Sequence, residues 1–248
     1  MSTTARQVVD LQPIPLLDIS KDAIVAAIAA AAGTIHSFVG VNAHTVYLAE
    51  HDPAFREVLS ESYRFCDGFG VHLLARLQGL PRPRYRNTPT DFMWDVFARL
   101  AAEQKTVYLL GDEPGVVTEF ARRLTGRFPG LVAGHQHGFF TAVEEAALIA
   151  HINKCSPHLL CVGMGQPRQE TWVYRRREEL NCPAALHLGA SMAFAIGARR
   201  RGPAWATNHG LEWLFRVLSE PRKMFSRYFV EIPWLVLRAL RYRWAGKR

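Results

Sequence analysis

Short apolar runs separated by helical patterns constrain the fold of this chain more than any other feature. Six runs have the length and apolar content of strands: Ser37–Val41, Tyr63–Cys66, Val107–Leu110, Leu131–Gly134, Leu159–Val162 and Ala185–Leu188. Helical patterns lie between them, among them Thr90–Glu103, Gly115–Arg127, Ala142–Asn153 and Gln169–Leu180. Strands that alternate with helices predict βαβ units and a mostly parallel sheet flanked by helices. The sequence therefore predicts an α/β fold.

The pattern changes after Gly197, where only helical patterns follow: Ala204–Ser219 and Arg222–Trp244, with a break at Pro233. Residues 199–248 hold 12 Lys/Arg against 3 Asp/Glu, a net charge of +9, whereas residues 1–198 have a net charge of −1. Nine of the 27 aromatic residues also lie in this last fifth of the chain. We predict one domain over 1–198 and a basic, aromatic, all-helical appendage over 199–248.

Three interpretations of the appendage stay open. Arg and Lys mixed with Trp and Leu suit a helix that lies among lipid headgroups, with the cations drawn to an anionic membrane surface. The same residues suit a helical cap that packs on the core and keeps its arginines in water. The third interpretation is contact with nucleic acid, but no groove-reading motif supports it. The positive charge as a whole indicates an anionic partner.

Cysteine usage and the N-terminus point to the cytoplasm. Cys66, Cys155, Cys161 and Cys182 form no CxxC pair, so we expect reduced thiols. Residues 1–13 lack the apolar stretch of a signal peptide. Residues 23–41 carry no Lys, Arg, Asp or Glu, but Gly33 interrupts them. We expect a helix capped by Ser20 that ends at Gly33, followed by a strand, rather than a membrane span.

Ligands of such sheets collect where parallel strands end, so the residues after each strand are candidates. Asn42 follows the first strand; it suits a hydrogen bond to a sugar or nucleotide, or the cap of a helix beginning near His44. Asp67 follows the second strand and precedes Gly68. Its carboxylate suits a general base, a metal ligand or a helix cap.

Two further loops have the composition of anion sites. Arg86 lies just ahead of a helix that Thr90 or Asp91 caps, and an arginine beside a helix N-terminus attracts anions. The alternative is a solvated basic loop. Residues 163–170 follow a strand and open a helix, and their glycines allow close approach of a phosphate. Arg168 replaces the third glycine of a dinucleotide fingerprint, so NAD binding is poorly supported.

The histidines suggest no metal site. His135 and His137 lie close together, but no third ligand follows at a recognisable spacing, which favours structural roles. We therefore predict neither a metal nor another cofactor. From the residues alone, two classes of function remain: an enzyme with Asp67 as its base, and a non-catalytic basic module that binds a nucleotide or nucleic acid.

Taken in order from Val8 to Tyr228, several blocks resemble the WecG/TagA/CpsF family of bacterial glycosyltransferases (glycosyltransferase family 26), whose members include N-acetylmannosaminyltransferases. The matching blocks are Val41–Ala43, Asp67–Gly68, Arg86–Asp91, Tyr108–Gly111, Phe128–Gly130, His137–Phe140, Val162–Glu170, Gly210–Trp213 and Glu220–Arg222. Each is weak alone; the block that ends at Glu170 and the two tail blocks are the specific ones. The resemblance implies a Rossmann-like catalytic domain with a basic helical appendage that meets the inner face of the cell membrane.

The resemblance also implies an activity. Such enzymes transfer a sugar from a UDP-sugar to a polyprenyl-diphosphate-linked sugar, with inversion and without a metal, in cell-surface or exopolysaccharide biosynthesis. The transferred sugar is N-acetylmannosamine, its uronic acid or a hexose. The sequence leaves the acceptor, the linkage and the oligomeric state open, a homo-oligomer included, and the resemblance gives no reason to expect nucleic acid as a partner.

Carried over by position, the resemblance assigns roles to individual residues. Asp67 is expected to act as the general base, and Arg86 to bind the diphosphate. Asn42 and Gln169 are expected to lie in the donor site. Three tail arginines are expected to close over the leaving UDP or the lipid diphosphate: Arg216, Arg222 and Arg227.

Two positions depart from the family pattern. Gly40 stands where many relatives have a hydroxyl residue, two positions before the asparagine. Ala193 stands where many carry an acidic residue that meets the nucleotide. We expect both departures to affect recognition of the donor.

Overall fold

The computed structural model describes residues 7–199 and 225–245 of the 248-residue chain. Its centre is an eight-stranded sheet of order β1-β2-β4-β3-β8-β7-β5-β6. The strands are β1 (Gln7–Val9), β2 (Leu16–Asp18), β3 (His36–Val41), β4 (Tyr63–Cys66), β5 (Val107–Gly111), β6 (Val132–Gln136), β7 (Leu159–Gly163) and β8 (Ala184–His187). Only the β1–β2 pair is antiparallel; every other neighbouring pair in this sheet is parallel.

Helices cover both faces of the sheet. They are α1 (Lys21–Ala30), α2 (Ala43–His51), α3 (Pro53–Ser60), α4 (Phe69–Gln78), α5 (Pro89–Ala102), α6 (Pro114–Arg127), α7 (Ala142–Cys155), α8 (Arg168–Arg176), α9 (Ser191–Ile196) and α10 (Ile232–Ala245). A π-helical segment, Arg227–Glu231, leads directly into α10. One face carries α1, α5, α6 and α9, and the opposite face carries the other helices.

Alternation along the strands divides the core between the two faces. In β3, Phe38 packs with the α1 and α5 side, while Val39 and Val41 pack with α2 and α4. The inner strands β5 and β7 are buried along their whole length, as expected where helices cover both faces of a parallel sheet. This explains why they read as unbroken apolar runs in the sequence.

The predicted α/β fold with a mostly parallel sheet is confirmed. All six predicted strands are present with ends shifted by at most two residues, the largest shift being at β6. The cap of α1 is also as predicted, since Ser20 Oγ accepts a hydrogen bond from Ala23 N at 3.2 Å. The helix ends at Ala30, however, three residues before the predicted Gly33. The sequence missed β1 and β2, because three-residue strands are too short to show an alternating pattern.

The predicted helix break at Pro233 is wrong. Helical structure runs from residue 225 to residue 245 through Pro233, the second residue of α10. A proline removes a backbone donor, and its ring clashes with the carbonyl four residues earlier. The π-helical turn just before it has wider spacing, with Ile232 N bonded to Arg227 O five residues back. This turn allows the chain to continue without a break.

The described part of the predicted appendage packs on the main body. Leu235 and Ala239 of α10 are buried against α2 and α4, in the same core as β3. Trp234 contacts Tyr47 and His51 of α2, with ring centroids 5.5 and 4.4 Å away. A domain boundary between residues 198 and 199 stays a prediction, as does the helix predicted over Ala204–Ser219, which lies outside the described residues. Within the described ranges, no helix combines the length and apolar content needed to cross a membrane.

Candidate active site

The connections of the sheet reverse direction between β3 and β8. These strands are neighbours, but β3 leads into α2 on one face and β8 leads into α9 on the other. Such a divergence opens a crevice beyond the carboxyl ends of the two strands, which is where ligands of open α/β sheets bind. We call this place the site crevice. The carboxyl ends of β4, β7 and β5 lie along the same edge of the sheet.

Asp67 lies at this edge, directly after β4. Its backbone N–H donates to Val41 O at 2.7 Å, which extends the β3–β4 pairing by one residue. The residue is half-buried at this edge. Its Cβ lies over Gly40, where an added Cβ would come within 3.1 Å of it. A larger residue at position 40, where many relatives have a hydroxyl residue, would therefore crowd the Asp67 side chain.

The loop between α4 and α5 brings Arg86 to the same strand end. Asn87 N donates to Cys66 O at 2.8 Å, so this loop is tied to the residue before Asp67. The Arg86 guanidinium lies 4.5 Å from the centroid of the Phe69 ring. Residues far apart in sequence, Asp67 and Arg86, are therefore neighbours in the fold.

The charges of Asp67, Arg86 and Arg82 affect the pKa of the Cys66 thiol. Burial, and then the nearby Asp67 carboxylate, raise the pKa of Cys66 to about 12, while Arg86 and Arg82 work in the opposite direction. Arg82 also donates to Nδ1 of the buried His72 at 3.1 Å. Burial, followed by the two arginine charges, lowers the pKa of His72. The site crevice thus has a carboxylate and two arginines on its β4 side.

Asn42 caps α2, which is one of the two roles predicted for it. Its side-chain Oδ1 accepts from Thr45 N at 3.2 Å, and Thr45 Oγ1 accepts from Asn42 N at 3.1 Å. The Asn42 Nδ2 has no hydrogen-bond acceptor within the described ranges. The cap therefore leaves one donor group of Asn42 for a ligand, and the donor-site role stays a prediction.

Gln169 lies under the glycine-containing loop after β7, with 2% of its surface exposed. Its Oε1 accepts from Gly165 N at 3.1 Å and from Gly189 N at 3.2 Å, and its Nε2 donates to Glu170 at 2.7 Å. All its polar atoms thus bind the protein itself and join the loops after β7 and β8. A direct contact with the donor stays a prediction.

Of the three predicted tail arginines, only Arg227 lies within the described residues. It starts the π-helical segment, and Glu231 at the end of that segment contacts His44 Nδ1 at 2.7 Å. His44 is the second residue of α2, so this contact brings the segment to the edge that holds Asn42 and Asp67. Arg216 and Arg222 lie outside the described residues.

A family model described as Glycosyl transferase WecG/TagA/CpsF family matches residues 9–248. The chain belongs to this family. It is therefore a glycosyltransferase, and the resemblance of the sequence blocks is confirmed. The match includes the site crevice and the described segment at residues 225–245.

Two polar residues of this glycosyltransferase have no sequence-predicted role although they lie in or beside the site crevice. Glu170 is buried in α8, and Asp112 follows β5 with a positive φ of 53°. Asp112 N donates to Gly163 O at 2.8 Å, which ties it to the end of β7. Asp112 could have been found from the sequence, because it directly follows a strand as Asp67 does. Glu170 could not, since only its place in the glycine-containing block 163–170 marks it.

Two other sequence features are accounted for by packing or local hydrogen bonds. His135 is exposed and His137 Nδ1 accepts from Phe139 N at 3.2 Å, and the described ranges contain no group of three residues arranged to hold a metal ion. Ala193 is buried in α9, within the core under that face. The residue that departs from the family pattern thus contributes an apolar methyl group to the core.

Proposed function

We propose that this glycosyltransferase moves a sugar from a UDP-sugar to a polyprenyl-diphosphate-linked sugar, with inversion and without a metal. The observation that carries the proposal is the joint placement of Asp67 and Arg86. Asp67 N donates to Val41 O, and Asn87, the residue after Arg86, donates its backbone N–H to Cys66 O, so both residues lie at the β3–β4 strand ends. A base and a cation at a crevice mouth are what such a displacement requires.

The proposed reaction is a single displacement. The Asp67 carboxylate takes the proton of the acceptor hydroxyl as that oxygen forms a bond to C1 of the donor sugar. The bond between C1 and the diphosphate oxygen breaks on the opposite side, and UDP leaves with the electron pair. The charge that develops on the diphosphate is stabilised by Arg86 and, on closure of the tail, by Arg216, Arg222 and Arg227.

The donor sugar is N-acetylmannosamine, its uronic acid or a hexose, used in cell-surface or exopolysaccharide biosynthesis. Gly40 and Ala193 supply no polar side-chain atom at two positions where relatives carry one. Donor recognition therefore depends more on Asn42 and on the backbone of the loops after β7 and β8. This supports a donor preference that differs from that of relatives with polar residues at those positions.

Exposed apolar side chains of residues 225–245 support a lipid-linked acceptor. Phe225 and Phe229 stack with ring centroids 4.8 Å apart, yet they are 59% and 57% exposed. Further along, Leu237 and Trp244 are also exposed, with Arg241 and Arg243 beside them. Aromatic and aliphatic side chains among cations suit the headgroup layer of an anionic membrane. We propose peripheral attachment at the cytoplasmic face of the cell membrane through residues 225–245.

A donor screen tests this proposal. UDP-sugars are incubated with a polyprenyl-diphosphate-sugar analogue, and the products are read by mass spectrometry. One donor is expected to add a single sugar residue to the analogue and release UDP, with activity retained in EDTA. Release of a product with no UDP-sugar present, or strict dependence on added Mn²⁺, would contradict the proposal.

A further inference from the structure

One face of α4 presents apolar side chains to solvent, starting at the site crevice. Phe69, the first residue of α4, is 38% exposed, and Leu73, four residues later, is 46% exposed. Side chains four residues apart lie on the same face of a helix, so the two form one strip, which we call the α4 strip. Single exposed apolar residues are common on protein surfaces, so the strip acquires a meaning only from the groups around it.

A guanidinium group is fixed beside the α4 strip by the buried ring of His72. Arg82 Nε donates to His72 Nδ1 at 3.1 Å, although Arg82 itself is exposed. Burial and the charges of Arg82 and Arg86 lower the pKa of His72, so the ring is neutral and its Nδ1 remains an acceptor. In the described part of the chain, the terminal NH₂ groups of Arg82 have no hydrogen-bond acceptor. These groups are therefore available to a phosphate.

The α4 strip begins among the residues proposed for sugar transfer. The Arg86 guanidinium lies 4.5 Å from the centroid of the Phe69 ring. The His72 and Phe69 rings are nearly perpendicular, with centroids 6.1 Å apart. Asp67 precedes Phe69 by two residues. A carboxylate, two guanidinium groups and an apolar strip therefore adjoin one another on this side of the crevice.

α4 and α10 run side by side away from the crevice, and their buried residues share one core. Both start at the crevice edge: α4 follows Asp67, and α10 follows Glu231, which contacts His44 at the start of α2. The ends of the two helices also meet, since a Cβ added at Gly79, directly after α4, would lie 3.7 Å from the Arg243 side chain. The α4 strip thus leads from the crevice along the segment proposed to contact the membrane.

We propose that α4 binds the lipid end of the acceptor: Arg82 binds its diphosphate, and Phe69 and Leu73 contact the first isoprene units of its polyprenyl chain. This inference rests on the proposed function for the identity of the acceptor. The order of groups in the acceptor matches this surface, because the polyprenyl chain is joined directly to the diphosphate, and the sugar beyond the diphosphate reaches Asp67.

A single lipid chain fits the α4 strip better than the surface of a bilayer does. Phe69 lies at the mouth of the crevice, so a bilayer that covered it would obstruct the entry of a water-soluble donor. An isoprene chain covers only the strip and leaves the crevice open. The chain must also pass from the membrane to the crevice, and apolar side chains along that path reduce the cost of exposing it to water.

The first test measures binding of the chain in solution, without vesicles or detergent. Calorimetry compares farnesyl diphosphate, kept below its micelle-forming concentration, with dimethylallyl diphosphate, which has one isoprene unit instead of three. Wild type is expected to bind farnesyl diphosphate about 10-fold more tightly, and Leu73→Ser to reduce that affinity alone, by about 5-fold. Leu73→Met retains the apolar contact and should bind both compounds like wild type.

Two results of this comparison would overturn the α4 strip as the chain site: equal affinity of wild type for both diphosphates, or an equal loss for both in Leu73→Ser. Val143→Ser is the control for unspecific apolar binding, because Val143 is exposed on α7, and it should leave both affinities unchanged. A loss of farnesyl diphosphate affinity in Val143→Ser equal to that in Leu73→Ser would also overturn it.

The role of Arg82 is tested against a matched arginine of the same loop. Arg82→Gln should weaken binding of both diphosphates about 10-fold, through the loss of a charged hydrogen bond. Arg84→Gln removes the same charge, but Arg84 is held through its backbone N–H on Asp18 rather than by His72, so its effect should be much smaller. Equal effects of the two substitutions would overturn the binding of the diphosphate by Arg82.

Transfer and vesicle assays separate this inference from the proposed function and from membrane contact. Wild type that binds farnesyl diphosphate through Leu73 but transfers no sugar to a polyprenyl-diphosphate-linked acceptor would contradict the proposed function and leave the chain site standing. Sedimentation with anionic vesicles should be nearly the same for wild type and Leu73→Ser. Weaker sedimentation of Leu73→Ser, with unchanged binding of farnesyl diphosphate, would assign the strip to the bilayer and overturn the proposal.

Discussion

Two regions that border the site crevice are held by different interactions. The crevice floor, formed by Asn42, Thr45, Gln166, Gln169 and Glu170, is a connected set of hydrogen bonds between 2.7 and 3.3 Å. The Gln169–Glu170 bond is buried and the others are partly buried. Residues 225–245 are held by the buried Leu235 and Ala239 and by two side-chain contacts, His44 Nδ1–Glu231 at 2.7 Å and the ion pair Glu50–Arg238 at 3.2 Å.

This difference suits the two regions to different tasks. A network in which most members bind two or more partners holds its atoms in one geometry and makes changes costly. Residues 225–245 dock through a narrow apolar strip and two polar side-chain contacts, and keep Phe225 and Phe229 exposed. Precise positioning thus suits the floor, and the exposed rings of the helical segment suit the membrane contact proposed for it.

Loss of the base is expected to have the largest effect. Asp67→Asn should lower kcat about 10²–10⁴-fold, because the amide cannot take the proton of the acceptor hydroxyl. UDP affinity should change little, since the shape of the side chain over Gly40 is preserved. Steady-state kinetics and calorimetry measure the two quantities. Unchanged turnover would remove Asp67 as the base and with it the functional importance of this strand end.

Stability of the floor should depend on pH through Glu170. Its pKa is raised to about 7 in the folded protein, so the folded state binds the proton more tightly than the unfolded state. The stabilising effect is complete below the unfolded pKa and is lost as pH rises through about 7. Between pH 4 and 8, we expect the free energy of unfolding of wild type to fall by about 3 kcal/mol relative to that of Glu170→Gln.

Urea unfolding of both proteins across this range measures that difference. The comparison with Glu170→Gln cancels other titrations, such as that of buried His187, whose pKa burial lowers to about 3. A constant difference in the free energy of unfolding between the two proteins would show that Glu170 does not titrate as described.

The arginine at the β4 strand end gives the next prediction. Arg86→Lys retains the charge but loses the planar fork that binds two phosphate oxygens, so kcat/KM should fall about 10- to 100-fold. Arg84→Lys in the same loop is the matched control, because that side chain is exposed and only its backbone binds Asp18. Equal effects of the two substitutions would mean that Arg86 acts only as part of a general positive field.

The smallest effect is expected on the exposed face of the helical segment. Exchange of both Phe225 and Phe229 for Ser should weaken binding to anionic vesicles about 10-fold, through lost apolar contact, while leaving the melting temperature close to that of wild type. Phe139→Ser is the control, since Phe139 is 64% exposed but belongs to the loop after β6. Vesicle sedimentation measures both. Equal loss in the control would contradict membrane contact through residues 225–245.

The sequence predicted those parts of the fold that depend on periodic burial. β5 and β7 are buried on both faces, so their apolar runs identified them directly. β1 and β2 were missed because they have three residues each. Pro233 was misread because a π-helical turn depends on backbone hydrogen bonds that no local residue pattern specifies.

The site was predictable where a functional residue directly follows a strand. Asp67 and Asn42 stood out for this reason, and the topology of the sheet brings them to one edge. The contacts of Glu170 could not be predicted in the same way, because it binds Gln166, and Gln166 binds Thr45, which is 121 residues from it in the chain. Contacts of this range are fixed by tertiary packing and leave no spacing signal in the sequence.

The most direct test of the central claim is the anomeric configuration of the product. One carboxylate that activates the acceptor hydroxyl produces a single displacement, so the new glycosidic bond should have the configuration opposite to that of the UDP-sugar. NMR of the sugar transferred to the polyprenyl-diphosphate-linked acceptor measures this. Inversion in wild type, with product formation by Asp67→Asn slowed about 10²–10⁴-fold, is the predicted result, and a product that retains the donor configuration would contradict the account.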